Sequence, residues 1–85
     1  MSAWQLRYHE NAVDGLRRLG RREAQGVLAA MTERIARHTS PHESGELLVS
    51  EDFGAFWRYR LDGFHVLCDI DRGARSITVL HVAAA

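Results

Sequence analysis

Residues 56–70, Phe56-Trp57-Arg58-Tyr59-Arg60-Leu61-Asp62-Gly63-Phe64-His65-Val66-Leu67-Cys68-Asp69-Ile70, form two alternating runs hinged on Asp-Gly. Asp-Gly between alternating hydrophobics is the strongest short-range signal for a two-residue hairpin. Such a loop pairs Leu61 with Phe64. It then sets Arg60 opposite His65, Tyr59 opposite Val66 and Arg58 opposite Leu67. Side chains alternate faces along a strand. One face therefore holds Trp57, Tyr59, Leu61, Phe64, Val66, Cys68 and Ile70, and must be covered. The other holds Phe56, Arg58, Arg60, His65, Leu67 and Asp69. Directly opposed side chains stand ~4.5–5.5 Å apart at Cβ, so Arg58, Arg60 and His65 form one cluster. A slip of one residue would bury the arginines, so burial itself fixes the register.

The cover for the apolar face lies upstream. Trp4 to His9 alternates as a half-buried strand does. Asn11 reads as a helix N-cap with Asp14 in the first turn. Ala12, Val13, Leu16 and Leu19 follow at helical spacing, and Gly20 stops that helix. A second helix is predicted over residues 21–38. Its stripe is Ala24, Val27, Leu28, Met31 and Ile35. The short connection makes the pair an antiparallel helical hairpin. Residues 38–45 read as a loop. Glu46-Leu47-Leu48-Val49 is a short strand candidate, and Ser76 to Val82 a β-branched one, with a turn at Asp71-Arg72-Gly73. Both parities of that last strand are apolar. If Leu80 and Val82 face the helices, His81 joins the cationic face. Helices grouped beside hairpin-linked strands predict an α+β fold with the helices on one face of the sheet.

The 85 residues suit one domain spanning 1–85, with 46% hydrophobic and 26% charged residues. That balance excludes a disordered acidic tail or a disulfide scaffold. No apolar run reaches the ~18 residues of a membrane span. The opening residues lack a signal-peptide core, and the single cysteine fits a reducing cytoplasm. Eleven acids balance eleven bases, and every base is arginine. Arginine presents a planar, permanently charged fork suited to phosphate and carboxylate. A net charge of zero gives no global pull on nucleic acid, so any such site must be a local patch.

Each candidate carries a plain alternative. Arg58, Arg60 and His65 can bind a phosphate backbone, or form a solvated sheet face balanced by Asp69 and the acids of residues 43–52. His65 and His81 can carry protons, since free imidazole titrates near ~6.5, or be ordinary surface histidines. Cys68 falls on the core parity, which argues against a nucleophile. His38 and His42 straddle Pro41 in a loop with no further ligand, a weak metal signal. No cofactor is implied.

The chain as a whole resembles the RelE/ParE superfamily of bacterial type II toxins. Residues 4–8 look like its first strand. Ala12-Val13-Asp14-Gly15-Leu16-Arg17-Arg18-Leu19 is similar to its helix-one pattern. Residues 53–70 resemble its most specific stretch, an aromatic, Arg-x-Arg, a Gly-aromatic-Arg turn and an apolar strand. The resemblance implies a four-stranded, mainly antiparallel sheet (β-α-α-β-β-β, with room for one more strand) and an N-terminal helical hairpin packed on it. It implies a toxin held by a cognate antitoxin. RelE-like members cut mRNA on the ribosome without a metal; ParE-like members inhibit DNA gyrase. On the first reading Arg58, Arg60, His65 and His81 are the catalytic residues. Two departures stand out. His65 takes the place of the turn's usual Arg, and Ala83-Ala84-Ala85 stands where the family continues with Gly-His-Arg and a near-terminal Tyr. A catalytically weakened toxin that mainly binds its antitoxin is therefore a third reading.

Overall fold

The computed structural model describes residues 4–37, 41, 45–52, 54–61 and 63–84. Strand β1 (Gln5–Tyr8) leads into helices α1 (Glu10–Leu19) and α2 (Arg21–Ala30), and a π-helical turn, Met31–Ile35, extends α2. Four strands follow: β2 (Glu46–Ser50), β3 (Gly54–Leu61), β4 (Phe64–Asp71) and β5 (Ser76–Ala84). They form one sheet in the order β1-β5-β4-β3-β2. β1 runs parallel to β5, and every other pairing is antiparallel. The α+β class and the helical cover are as expected, but the sheet has five strands rather than four. The fifth is β2, the short strand candidate at residues 46–49, which forms an edge strand with Leu47 and Val49 exposed. Backbone pairing to β3 holds it rather than burial, which is why its sequence pattern is faint.

The helical hairpin turns on a single residue. Gly20 has φ 96° and ψ 159°, a region open essentially to glycine alone. The first cap lies earlier than Asn11. His9 Nδ1 accepts a hydrogen bond from the Asn11 N–H at 3.1 Å, and α1 begins at Glu10. Imidazole is outside the usual capping set, so the sequence pattern misplaces the cap by two residues.

The second helix does not continue regularly to residue 38. The Ala36 N–H donates to the Met31 carbonyl at 2.8 Å, a bond spanning five residues, one wider than in an α-helix. The widened turn buries Ile35 and Ala36 together. It also presents the Ala36 carbonyl to the Trp4 N–H at 2.8 Å, tying the start of the sheet to the end of the helices. Leu28, counted in the apolar stripe, stays 37% exposed.

The hairpin has the predicted register, with Leu61↔Phe64, Arg60↔His65, Tyr59↔Val66 and Arg58↔Leu67. Gly63 has φ +87°, while Asp62 lies outside the described residues. The core lies between helices and sheet. Ala12, Val27, Met31 and Ile35 from the helical side meet Tyr59, Leu61, Val66, Cys68, Ile77, Val79 and Val82 from the strands. α1 approaches β5 so closely that a Cβ on Gly15 would stand 2.5 Å from the Val82 carbonyl oxygen.

The double parity of β5 has a structural cause. Leu67 pairs with His81, but Cys68 pairs with Val79, so the register shifts and Leu80 is the additional residue. Such a bulge inverts the alternation downstream. Ile77 and Val79 are buried before it and Val82 after it.

Candidate functional site

The bulge decides where His81 points. Its partner Leu67 shares a face with Arg58, and His65 pairs with Arg60 on one side and Ala83 on the other. Arg58, Arg60, His65 and His81 therefore share the face of the sheet opposite the helices. Arg60 and His81 are exposed, and Arg58 and His65 are half-buried. His65 and His81 sit on neighbouring strands as diagonal neighbours, roughly 7–8 Å apart.

One member of the cluster was not anticipated. Glu46 on β2 pairs with Arg58 across the β2–β3 ladder, and its Oε2 accepts a hydrogen bond from Arg58 Nη2 at 2.8 Å. That bond and the Arg58 charge hold the Glu46 carboxyl below its ordinary value of 4.5, with smaller contributions from Arg60 and His65. The sequence signal was present but coarse: Glu46 was one of several acids credited with balancing the arginines, and only the β2 register singles it out. Arg58 Nε is enclosed, and among the described residues it finds no acceptor. Gly45, Glu46, Arg58 and Arg60 line an open pocket of about 440 Å³.

The other side of β3 positions this pocket. Tyr59 is 1% exposed, and its hydroxyl donates to the Pro41 carbonyl at 2.8 Å. Burial raises its pKa well above the usual phenol range. A Cβ on Gly45 would come within 3.0 Å of the Tyr59 ring. Thus the buried ring of Tyr59 sets where β2 begins, and Glu46 is the next residue along.

Cys68 is fully buried, and desolvation, helped by the neighbouring Asp69 charge, pushes its thiol up to about 12. A thiol so seldom ionised is no nucleophile. His38 and His42 lie outside the described residues. Among the described residues no cluster of His, Cys, Asp and Glu could hold a metal ion, and no helix is long and apolar enough to cross a membrane.

No protein-family model matches the sequence, and no curated protein matches it. Solved structures do match. The chain superposes over its full length on 94% of a chain of the RelBE2 toxin–antitoxin complex from Mycobacterium tuberculosis, with a TM-score of 0.88 and 21% identity. The chain has the RelE toxin fold. The archaeal RelE–RelB complex from Pyrococcus horikoshii gives a TM-score of 0.73 at 17% identity, covering 96% of this chain and 94% of that one. The intact E. coli RelBE complex gives 0.61 at 13%, covering 98% of each. On this RelE fold the arginines, the two histidines and Glu46 occupy the face that the helices leave bare.

Proposed function

We propose that this chain is a single-domain toxin of a RelBE-type toxin–antitoxin pair, acting as a ribosome-dependent mRNA endonuclease that needs no metal. The observation that carries the reading is the convergence of Arg58, Arg60, His65 and His81 on one uncovered face. The RelE fold supports it, since the matched structures include complexes of a RelE toxin with its antitoxin.

Cutting RNA without a metal requires the 2′-oxygen to attack the adjacent phosphorus while the P–O5′ bond breaks. One group must take the 2′-hydroxyl proton, another must give a proton to the leaving 5′-oxygen, and cations must hold the phosphorane charge. Arg58 and Arg60 supply the cations. Glu46 occupies one nitrogen of Arg58 and orients its fork, which makes it a positioning residue. The two imidazoles are the proton-transfer groups on this reading, and their diagonal spacing lets one act on each side of a phosphodiester. The products are a 2′,3′-cyclic phosphate and a 5′-hydroxyl. A cognate antitoxin, the ribosome and its mRNA are the partners on this reading, and the cytoplasm is its place of action.

The test is cleavage of mRNA on purified ribosomes in the presence of a chelator. Wild-type protein should cut, and Arg60→Ala should cut at least ~10²-fold more slowly, the usual cost of removing a preorganised charge stabiliser. Inhibition of DNA gyrase supercoiling without any mRNA cleavage would replace this reading with gyrase inhibition. A weakened catalyst is the second reading, favoured by Ala83, which puts only a methyl group beside His65 on the bare face. Ala83→Arg should then raise the cleavage rate, while an unchanged rate would remove that reading.

A further inference from the structure

The bare face is not uniformly polar. Phe56 lies on it, on the same parity of β3 as Arg58 and Arg60. Its partner across the β2–β3 ladder is Leu48. Leu67, the partner of Arg58, is its diagonal neighbour on β4. All three are half-buried, and none is among the hydrophobic side chains that form the core or pack on it. They make an apolar strip across β2, β3 and β4, directly beside the cations. Two strand residues span roughly 7 Å, which is the step from Phe56 to Arg58. Asp69 closes the strip on its other side. Trp57 pairs with Cys68, so Phe56 and Asp69, the next residues outward from that pair, turn to the bare face side by side. Asp69 is exposed, and an ionised carboxylate only accepts hydrogen bonds.

We propose that Phe56 is a shelf on which one unpaired base of the RNA stacks while its phosphate lies on Arg58 and Arg60, and that Asp69 accepts a hydrogen bond from the exocyclic amino group of that base. The inference rests on the endonuclease reading above and adds the nucleotide that the site holds. A ring among cations on a face turned to water fills no core. It does fit a nucleotide, whose base has a π-face and whose backbone carries the charge that the arginines meet. An apolar protein side chain would cover the same strip but bring no anion to Arg60. The carboxylate beside the ring chooses among bases. Cytosine offers an amino group that a carboxylate accepts, whereas uracil turns a carbonyl oxygen to the same place and is repelled. The two pyrimidines stack with rings of the same size, so the difference between them isolates Asp69.

The probes are uncleavable 2′-O-methyl tetranucleotides, one of cytidine and one of uridine, titrated into protein with ¹³C-labelled phenylalanine rings. The cytidine strand should move the Phe56 ring resonances upfield and bind at least ~10-fold more tightly than the uridine strand. Phe56→Leu keeps an apolar side chain but loses the stack, and should weaken the cytidine strand at least ~10-fold. Phe56→Trp should bind at least as well as wild type, and Asp69→Asn should equalise the two strands. These side chains lie outside the core, so the variants should fold. Ring resonances that stay in place while those of Arg58 and Arg60 shift, or wild-type binding by Phe56→Leu, would overturn the shelf and leave the phosphate site standing. Equal binding of the two strands by wild type would overturn the role of Asp69. Absence of any shift would overturn shelf and phosphate site together. Phe56→Leu that binds RNA normally but loses an antitoxin would make the strip a protein contact and overturn the shelf too. Absence of mRNA cleavage by wild type, with the ring shifts as expected, would instead count against the endonuclease reading alone.

Discussion

The two faces of the sheet are built from the same strands and differ in almost everything else. On the covered face Tyr59, Val66, Cys68, Ile77 and Val79 are at most 1% exposed. On the bare face Arg60 and His81 are exposed and Arg58 reaches solvent with 27% of its side chain. Alternation places these sets one residue apart along each strand. Stability and the proposed chemistry are thereby divided by parity, and a change on one face should leave the other's property nearly untouched.

The comparison breaks most readily on the covered face. Ile77→Ala removes a fully buried side chain and should cost about 4 kcal/mol, through lost transfer energy and a residual cavity. Urea unfolding measures it, and below the midpoint the surviving protein should cut mRNA normally. Gly15→Ala is next. Its Cβ would overlap the Val82 carbonyl oxygen, a backbone atom of a paired strand that is hard to move. Overpacking costs about 3 kcal/mol, offset by about 1 kcal/mol from the better helix former, so a net loss of about 2 kcal/mol is expected.

Tyr59→Phe sharpens the comparison, because it removes only the hydrogen bond to Pro41. Leaving that carbonyl unpaired should cost about 1–2 kcal/mol. It should also loosen the start of β2, so its second readout is a fall in cleavage rate larger than Ile77→Ala produces. Glu46 gives the smallest effect. Its folded-state pKa is depressed, so its contribution is present above the ordinary carboxylate value of 4.5 and fades as pH falls through the lower folded value. Glu46→Gln should flatten the acid limb of the stability–pH profile slightly, the size expected of an exposed pair.

The hairpin and its facing residues were legible because Asp-Gly and strict alternation specify register locally. The rest depends on events that no local pattern carries. The fate of His81 turns on the Leu80 bulge, a shift between strands that both parities of β5 accommodate equally. Glu46 becomes part of the site through an edge strand whose hydrophobics stay exposed, so no burial pattern announces it. The His9 cap and the Met31 turn are likewise tertiary outcomes: one uses an atypical acceptor, the other widens a helix so that Ala36 meets Trp4.

The most direct test of the division between faces is the double variant Arg58→Ala with Arg60→Ala, measured side by side for ribosomal mRNA cleavage and for urea unfolding. The account predicts cleavage at least ~10²-fold slower with stability within about 1 kcal/mol of wild type. Cleavage at the wild-type rate, or a loss of activity matched by global unfolding, would contradict it.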